Sequence, residues 1–150
     1  LPLVAEPGRV VVAHSISLVV RVLLKKGRRL YINDGIWASL SDSWTGKITL
    51  PARHIPDPAR RRRTGDPQAI VPYKVCGATC DSVDILSRPF LLPETVDTGD
   101  WIEIGHIGAY SLSLRTRFNG FYPEKVVAVD TPFAEEAGTL GLAALETMSD

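Results

Sequence analysis

Two cysteines are all that this 150-residue chain contains, and both fall in one short stretch, VCGATCDSVD, from Val75 to Asp84. So sparse a supply excludes a disulfide-stapled scaffold, and two thiols fall short of the four ligands of a structural zinc site. His14, His54 and His106 are scattered without ligand spacing, so no metal is expected. A charge of one sign is missing too. The 17 basic and 17 acidic residues cancel, which argues against a general binder of nucleic acid or of membrane surfaces. No run approaches the roughly 20 apolar residues of a membrane span. Nor does the start, LPLVAEPGRVVV, show the basic region and apolar core of an export signal. A cytoplasmic, reducing setting is therefore expected. The first residue is not methionine, and the chain reads as though it begins inside a longer protein.

What is present is an ordinary soluble domain. Hydrophobic residues make up 45% and charged residues 23%, enough apolar mass for one real core. Most segments read as strands. SLVVRVLLKK (Ser17 to Lys26) is β-branched and ends in charge; RRLYINDG (Arg28 to Gly35) follows after one glycine as the second arm of a hairpin, stopped by the Asn33-Asp34-Gly35 turn signal. GKITLPARHI (Gly46 to Ile55) and AIVPYKVCG (Ala69 to Gly77) each contain a proline that confines them to edges or interruptions. DWIEIGHIG (Asp100 to Gly108) alternates, with Ile102 and Ile104 on one side and Trp101 and Glu103 on the other; YSLSLRTRF (Tyr110 to Phe118) also alternates, and EKVVAVD (Glu124 to Asp130) closes the series.

Many short strands broken by glycine and proline predict an all-β fold, a mainly antiparallel barrel or sandwich. Helix signals are confined to the ends: one turn after Pro7, and a weak tail over residues 132–150 interrupted by Gly138 and Gly141. The basic run Arg60 to Arg63, between prolines and a glycine, reads as a solvated loop, because no aromatic platform accompanies it.

The cysteine stretch divides in two. Cys76 ends an apolar strand and reads as a small core hydrophobe. Cys80 follows a glycine-containing turn and is crowded by Asp81 and Asp84, a pattern that suits the rim of a pocket. No nucleophile elbow or comparable signature accompanies it.

Four stretches in order resemble one family. CGATCDSVD (Cys76 to Asp84), EPGR (Glu6 to Arg9), YINDGIWASL (Tyr31 to Leu40) and the GDW, GAY and FNGF elements between Gly99 and Phe121 are similar to motifs of the fold-type III pyridoxal-phosphate-dependent decarboxylases, the ornithine/diaminopimelate/arginine family. The resemblance covers about residues 5 to 130. It implies a β-barrel domain over residues 15–131, preceded by residues 1–14 as the last strand and turn of an α/β barrel and followed by a tail over 132–150. It also implies that the cofactor-bearing lysine belongs to that preceding barrel. None of Lys25, Lys26, Lys47, Lys74 or Lys125 sits in a motif that replaces it, so the chain by itself is expected to be inactive.

By the same resemblance, Glu6 faces the pyridine nitrogen of pyridoxal phosphate, Arg9 and Tyr110 contact its phosphate and Gly8 belongs to the cofactor-binding set, with Gly108 admitting a close backbone approach. Cys80 reprotonates the substrate α-carbon as general acid; Asp81 binds the distal cationic group, with Trp37 beside it in the substrate pocket. The loop is presented to the other subunit of a homodimer with shared active sites, and Asp84 is an interface or loop-bracing acid. Aspartate at position 81 favours ornithine, with lysine and diaminopimelate as alternatives; a non-catalytic relative and a stand-alone β-domain acting as an interaction module are the competing classes. Where ornithine enzymes carry Tyr-Asp-His after the NDG strand, this chain reads SDSWTGKI, with Asp42 standing earlier.

Overall fold

The computed structural model describes residues 2–60, 64–131 and 133. Its first paired element is the hairpin of β1 (Leu18–Lys26) and β2 (Arg29–Ile32). Gly27, at φ 59°, is the first of two turn residues between Lys26 and Arg29, where a positive φ matches the twist of the strands. Asn33 closes the hairpin: its side-chain oxygen accepts the Arg21 amide at 2.7 Å.

The register slips by one between Val22 and Leu24, and that bulge has a consequence. Val20 and Val22 point into the core, whereas beyond the bulge Lys25 is the residue turned inward. Its ammonium donates to the carbonyls of Glu94 and Val96 at 3.0 and 2.7 Å and lies 5.4 Å from the Tyr73 ring. A lysine is tolerated at the core's edge because its apolar stem packs while its head finds carbonyl acceptors.

Four more strands complete a six-stranded sheet in the order β3, β6, β1, β2, β4, β5: β3 (Ala52–Ile55), β4 (Ile70–Cys76), β5 (Phe90–Pro93) and β6 (Trp101–Ile104). Only β2 and β4 pair in parallel; the long excursion between them, through β3, permits the parallel return that a tight turn forbids. The edge strands β3 and β5 touch, so the sheet nearly closes into a barrel. Its interior holds Val20, Val22, Leu30, Ile32, Tyr73, Val75, Leu92, Ile102 and Ile104, all at 1% exposure or less. Each such side chain contributes about 2 kcal/mol by leaving water. The alternation read in β6 is the one observed, with Ile102 and Ile104 inward.

Among the described residues three short α-helices decorate the barrel: α1 (Arg9–Val12), α2 (Ser41–Thr45) and α3 (Ser111–Leu114). The turn after Pro7 is the expected one; the other two correct the sequence reading. Tyr110 to Phe118 is not a strand. Tyr110 adopts a left-handed φ of 65°, and the Ser111 hydroxyl turns back onto the Ile107 carbonyl, a local bond that competes with extended pairing. Ser111 is buried and Leu112 and Leu114 are exposed, the reverse of the polarity that alternation implied. Glu124 to Asp130 is not a strand either. With β3 and β5 turned toward each other the sheet offers it no ladder partner, and Val126, Val127 and Val129 stay exposed. The expected tail helix lies outside the described residues, as do Arg61 to Arg63. Arg60 itself pairs with Asp97 at 3.1 Å and the Thr98 carbonyl at 2.8 Å. Among the described residues no helix is long and apolar enough to cross a membrane.

Candidate functional site

The loop from Gly77 to Asp84 is wound around a buried carboxylate. Asp84, 2% exposed, accepts the Ile36 amide at 3.0 Å through Oδ1, and the Thr79 amide and hydroxyl at 3.2 and 2.5 Å through Oδ2. Its own carbonyl takes the Gly77 amide at 2.8 Å. Gly35 and Gly77 make room for it: a Cβ would stand 2.2 Å from Oδ1 at the first position and 2.1 Å from Oδ2 at the second. Two distant glycines are thus required by one carboxylate.

With Asp84 inward, the middle of the loop is pushed out. Cys80 sits at a left-handed φ of 61° with an exposed side chain, its Sγ 3.9 Å from the Ala78 carbonyl. Asp81 beside it accepts the Trp37 indole Nε1–H at 3.1 Å through Oδ2 and the Val83 amide at 3.0 Å through Oδ1. Trp37 is held in turn. Its carbonyl accepts the Thr116 amide and hydroxyl at 2.9 and 2.7 Å, and its ring meets Phe118 at 5.3 Å. Asn119 donates to the Thr79 carbonyl at 2.8 Å and ties the FNG turn to the cysteine loop. Three of the stretches singled out in the sequence therefore meet around Trp37 and Asp81.

Cys76 belongs to the core instead. It is buried at the end of β4, and burial pushes its thiol above the ordinary range. Beneath the loop lies Asp34, 3% exposed, whose Oδ1 accepts the amides of Gly35 and Ser39 at 2.7 and 2.9 Å. Burial raises its carboxyl, those amides pull the other way, and the nearby Asp84 charge adds to the rise.

A second group forms at the N-terminal turn. The Gly108 amide donates to the Ala13 carbonyl at 2.9 Å, and a Cβ there would stand 1.8 Å from the Val12 carbonyl oxygen. The close approach at Gly108 is therefore between two parts of this chain, and it seats α1 against the segment leading to Tyr110. Arg9 lies 5.2 Å from the Tyr110 ring centre and forms a double ion pair with Asp42, Nη1 to Oδ2 at 2.6 Å and Nη2 to Oδ1 at 3.1 Å. The hydrogen bond to Asp42 raises the Arg9 pKa further, against a smaller opposing effect of burial. Gly8 caps α1 beside open space. Glu6 is exposed in the stretch before it, and among the described residues no hydrogen bond or ion pair joins it to either group. The segment 35–45 bridges the two groups, carrying Trp37 into one and Asp42 into the other, and α2 touches α3. Among the described residues no three His, Cys, Asp or Glu side chains gather as metal ligands.

The geometry coincides with a known domain. Residues 10–108 match the pyridoxal-dependent decarboxylase, C-terminal sheet domain, and the chain belongs to that family. It is 32% identical over 141 residues to an ornithine decarboxylase of Schizosaccharomyces pombe, covering 85% of this chain and 31% of that protein. It is 29% identical to antizyme inhibitor 2 of Xenopus laevis, covering 83% and 29%. Among solved structures, a lysine/ornithine decarboxylase from Vibrio vulnificus complexed with cadaverine superposes with a TM-score of 0.63 at 28% identity, over 84% of this chain and 33% of that one. The arginine decarboxylase of Paramecium bursaria Chlorella virus bound to agmatine gives 0.62 at 31% identity, over 78% and 32%. The chain spans about a third of the length of the curated relatives it matches.

The family implies pyridoxal phosphate, and the second group fits its phosphate. Asp42 takes one edge of the Arg9 guanidinium, leaving N–H groups on the other sides. The Tyr110 side is half exposed, and nothing crowds Gly8. Sequence reasoning missed Asp42 in this position, together with Thr79, Thr116 and Asn119. For Asp42, Thr116 and Asn119 the signal is tertiary, each acting across 33 residues or more, whereas Thr79 binds Asp84 five residues on.

Proposed function

We propose that this chain is the C-terminal part of a pyridoxal-phosphate-dependent decarboxylase acting on a basic amino acid, ornithine first, which it converts to putrescine. The observation that carries the reading is Asp81, held outward by Trp37 beside the exposed, left-handed Cys80. A carboxylate anchored at one oxygen by an indole and at the other by an amide is a fixed acceptor for a distal ammonium. In this reading Cys80 delivers a proton to the α-carbon once CO2 has left, and Asp84 braces the loop that carries it. Arg9 and Tyr110 would hold the cofactor phosphate, Gly8 would line the cofactor, and Glu6 would serve the pyridine nitrogen. When bound, pyridoxal phosphate supplies the electron-accepting ring that makes loss of CO2 feasible.

The active form is a homodimer with shared sites, each completed by the lysine-bearing barrel domain. Residues 15–131 are the β-domain, and residues 1–14 lead in from that barrel. The setting is cytoplasmic, in keeping with two free thiols. Similarity to a lysine/ornithine enzyme keeps lysine as a second substrate. Similarity to antizyme inhibitor 2 supports a non-catalytic reading, against which stand Arg9, Cys80, Asp81 and Tyr110.

The test is to assay the full-length protein, loaded with pyridoxal phosphate, for CO2 release from ornithine, lysine, arginine and diaminopimelate. The expected ranking puts ornithine first. Failure to bind the cofactor and to release CO2 from all four would transfer the assignment to the non-catalytic class.

A further inference from the structure

Asp42 stands outside the roles given so far, yet it makes the ion pair that governs Arg9. Its side chain is 18% exposed against 40% for the arginine, so the carboxylate is the more fixed partner. The first turn of α2 sets its place: the Asp42 carbonyl accepts the Gly46 amide at 2.9 Å, and the buried Ser43 hydroxyl donates to the Leu40 carbonyl at 2.8 Å. Arg9, by contrast, hangs from a four-residue helix with no buried residue. A long, half-exposed arginine on so slight an element samples many rotamers unless something holds it.

Asp42 holds it by a particular edge. Nη1 and Nη2 each give one N–H to the two carboxylate oxygens, the end-on arrangement. Of the five guanidinium N–H groups three remain, among them Nε–H and the Nη hydrogen beside it. That pair forms a second fork, the geometry that suits a phosphate. The guanidinium carbon lies over the Tyr110 ring, 5.2 Å from its centre, which limits where the guanidinium plane lies. We propose that Asp42 is a positioning residue: it grips one edge of Arg9 so that the other edge is presented to a phosphate group. The proposal rests on the reading that Arg9 and Tyr110 face the cofactor phosphate.

The test compares pyridoxal phosphate with pyridoxal, which lacks the phosphate but keeps the aldehyde. The apo form of the full-length protein is titrated with each, by absorbance or fluorescence, and the affinity ratio isolates the phosphate contacts. In Asp42→Asn that ratio should fall about tenfold, the share of one partly exposed charge-assisted contact, while pyridoxal binds as in the wild type. Asp42→Glu keeps the charge and should keep most of the ratio, and it serves as the reporter should Asp42→Asn fail to fold. Arg9→Ala is the reference and should lower the ratio most. An unchanged ratio in Asp42→Asn beside a lowered one in Arg9→Ala overturns the positioning role and leaves the site intact. Equal weakening of both ligands in Asp42→Asn also overturns it, since that marks a merely structural residue. An unchanged ratio in Arg9→Ala removes the phosphate site itself.

Discussion

The indole Nε1 of Trp37 donates to Oδ2 of Asp81 at 3.1 Å, joining the turn after β2 to the loop after β4. The bond uses one oxygen of Asp81 and leaves the carboxylate charge at the surface, beside Cys80. Asp81→Ala should therefore remove discrimination for a charged side chain. Relative to an uncharged analogue, ornithine should lose about 2 kcal/mol of preference in kcat/KM. Trp37→Phe, which keeps the ring and removes the donor, should cause a smaller loss of the same kind. Comparative kcat/KM on the full-length protein checks both.

Asp84 is a stability residue. Asp84→Ala leaves the Ile36 amide and both donors of Thr79 without their acceptor in a buried site, at a cost of about 3 kcal/mol or more. Gly77→Ala, which drives a methyl group into the same carboxylate, should act in the same direction. Urea unfolding checks this; a loss under about 1 kcal/mol in both variants contradicts it.

Asp34 sets a pH dependence. Its carboxyl is raised in the folded protein, chiefly by burial, so the folded state holds that proton more tightly than the unfolded chain does. Its contribution is fully present below the unfolded value of about 4 and is lost as pH rises through the raised folded value. Asp34→Asn keeps an acceptor for the Gly35 and Ser39 amides and removes the titration. Unfolding free energies measured upward from about pH 4 should show the variant gaining on the wild type. Parallel curves contradict the assignment.

The two cysteines should part company. Cys76→Ala, in the core, should cost about 1 kcal/mol of stability and leave the products alone. If Cys80 is the α-carbon acid, Cys80→Ala should leave stability alone and shift the product from amine toward aldehyde, water supplying the aldehyde oxygen and the amino group staying on the cofactor as pyridoxamine phosphate. The amine-to-aldehyde ratio decides; a shift seen only in Cys76→Ala reverses the division of labour.

Much of this was legible in the sequence, for identifiable reasons. β6 declared itself because Ile102 and Ile104 alternate with Trp101 and Glu103, one face fully buried and the other only half-buried. The first hairpin was marked by Gly27 and by the NDG signal. Alternation misled at Tyr110 to Phe118, where serines bond backward to the preceding turn and one left-handed tyrosine ends the extended run. β5 was missed because FLLP is four residues ending in proline, too short to show a period. The motif residues named themselves; their supports did not. That Asp42 meets Arg9, or that one carboxylate at 84 needs glycines at both 35 and 77, follows from chain path and not from spacing.

The central claim is that this chain serves two active sites, offering Arg9 and Tyr110 to one and Cys80 and Asp81 to the other. Mixing two strongly impaired full-length variants, Arg9→Ala and Asp81→Ala, tests it most directly. After random exchange of subunits, half the dimers are mixed, and each mixed dimer holds one intact site when the two residues come from different subunits. Decarboxylation of ornithine should then return to about a quarter of the wild-type rate. No recovery, with subunit exchange verified independently, contradicts the shared site.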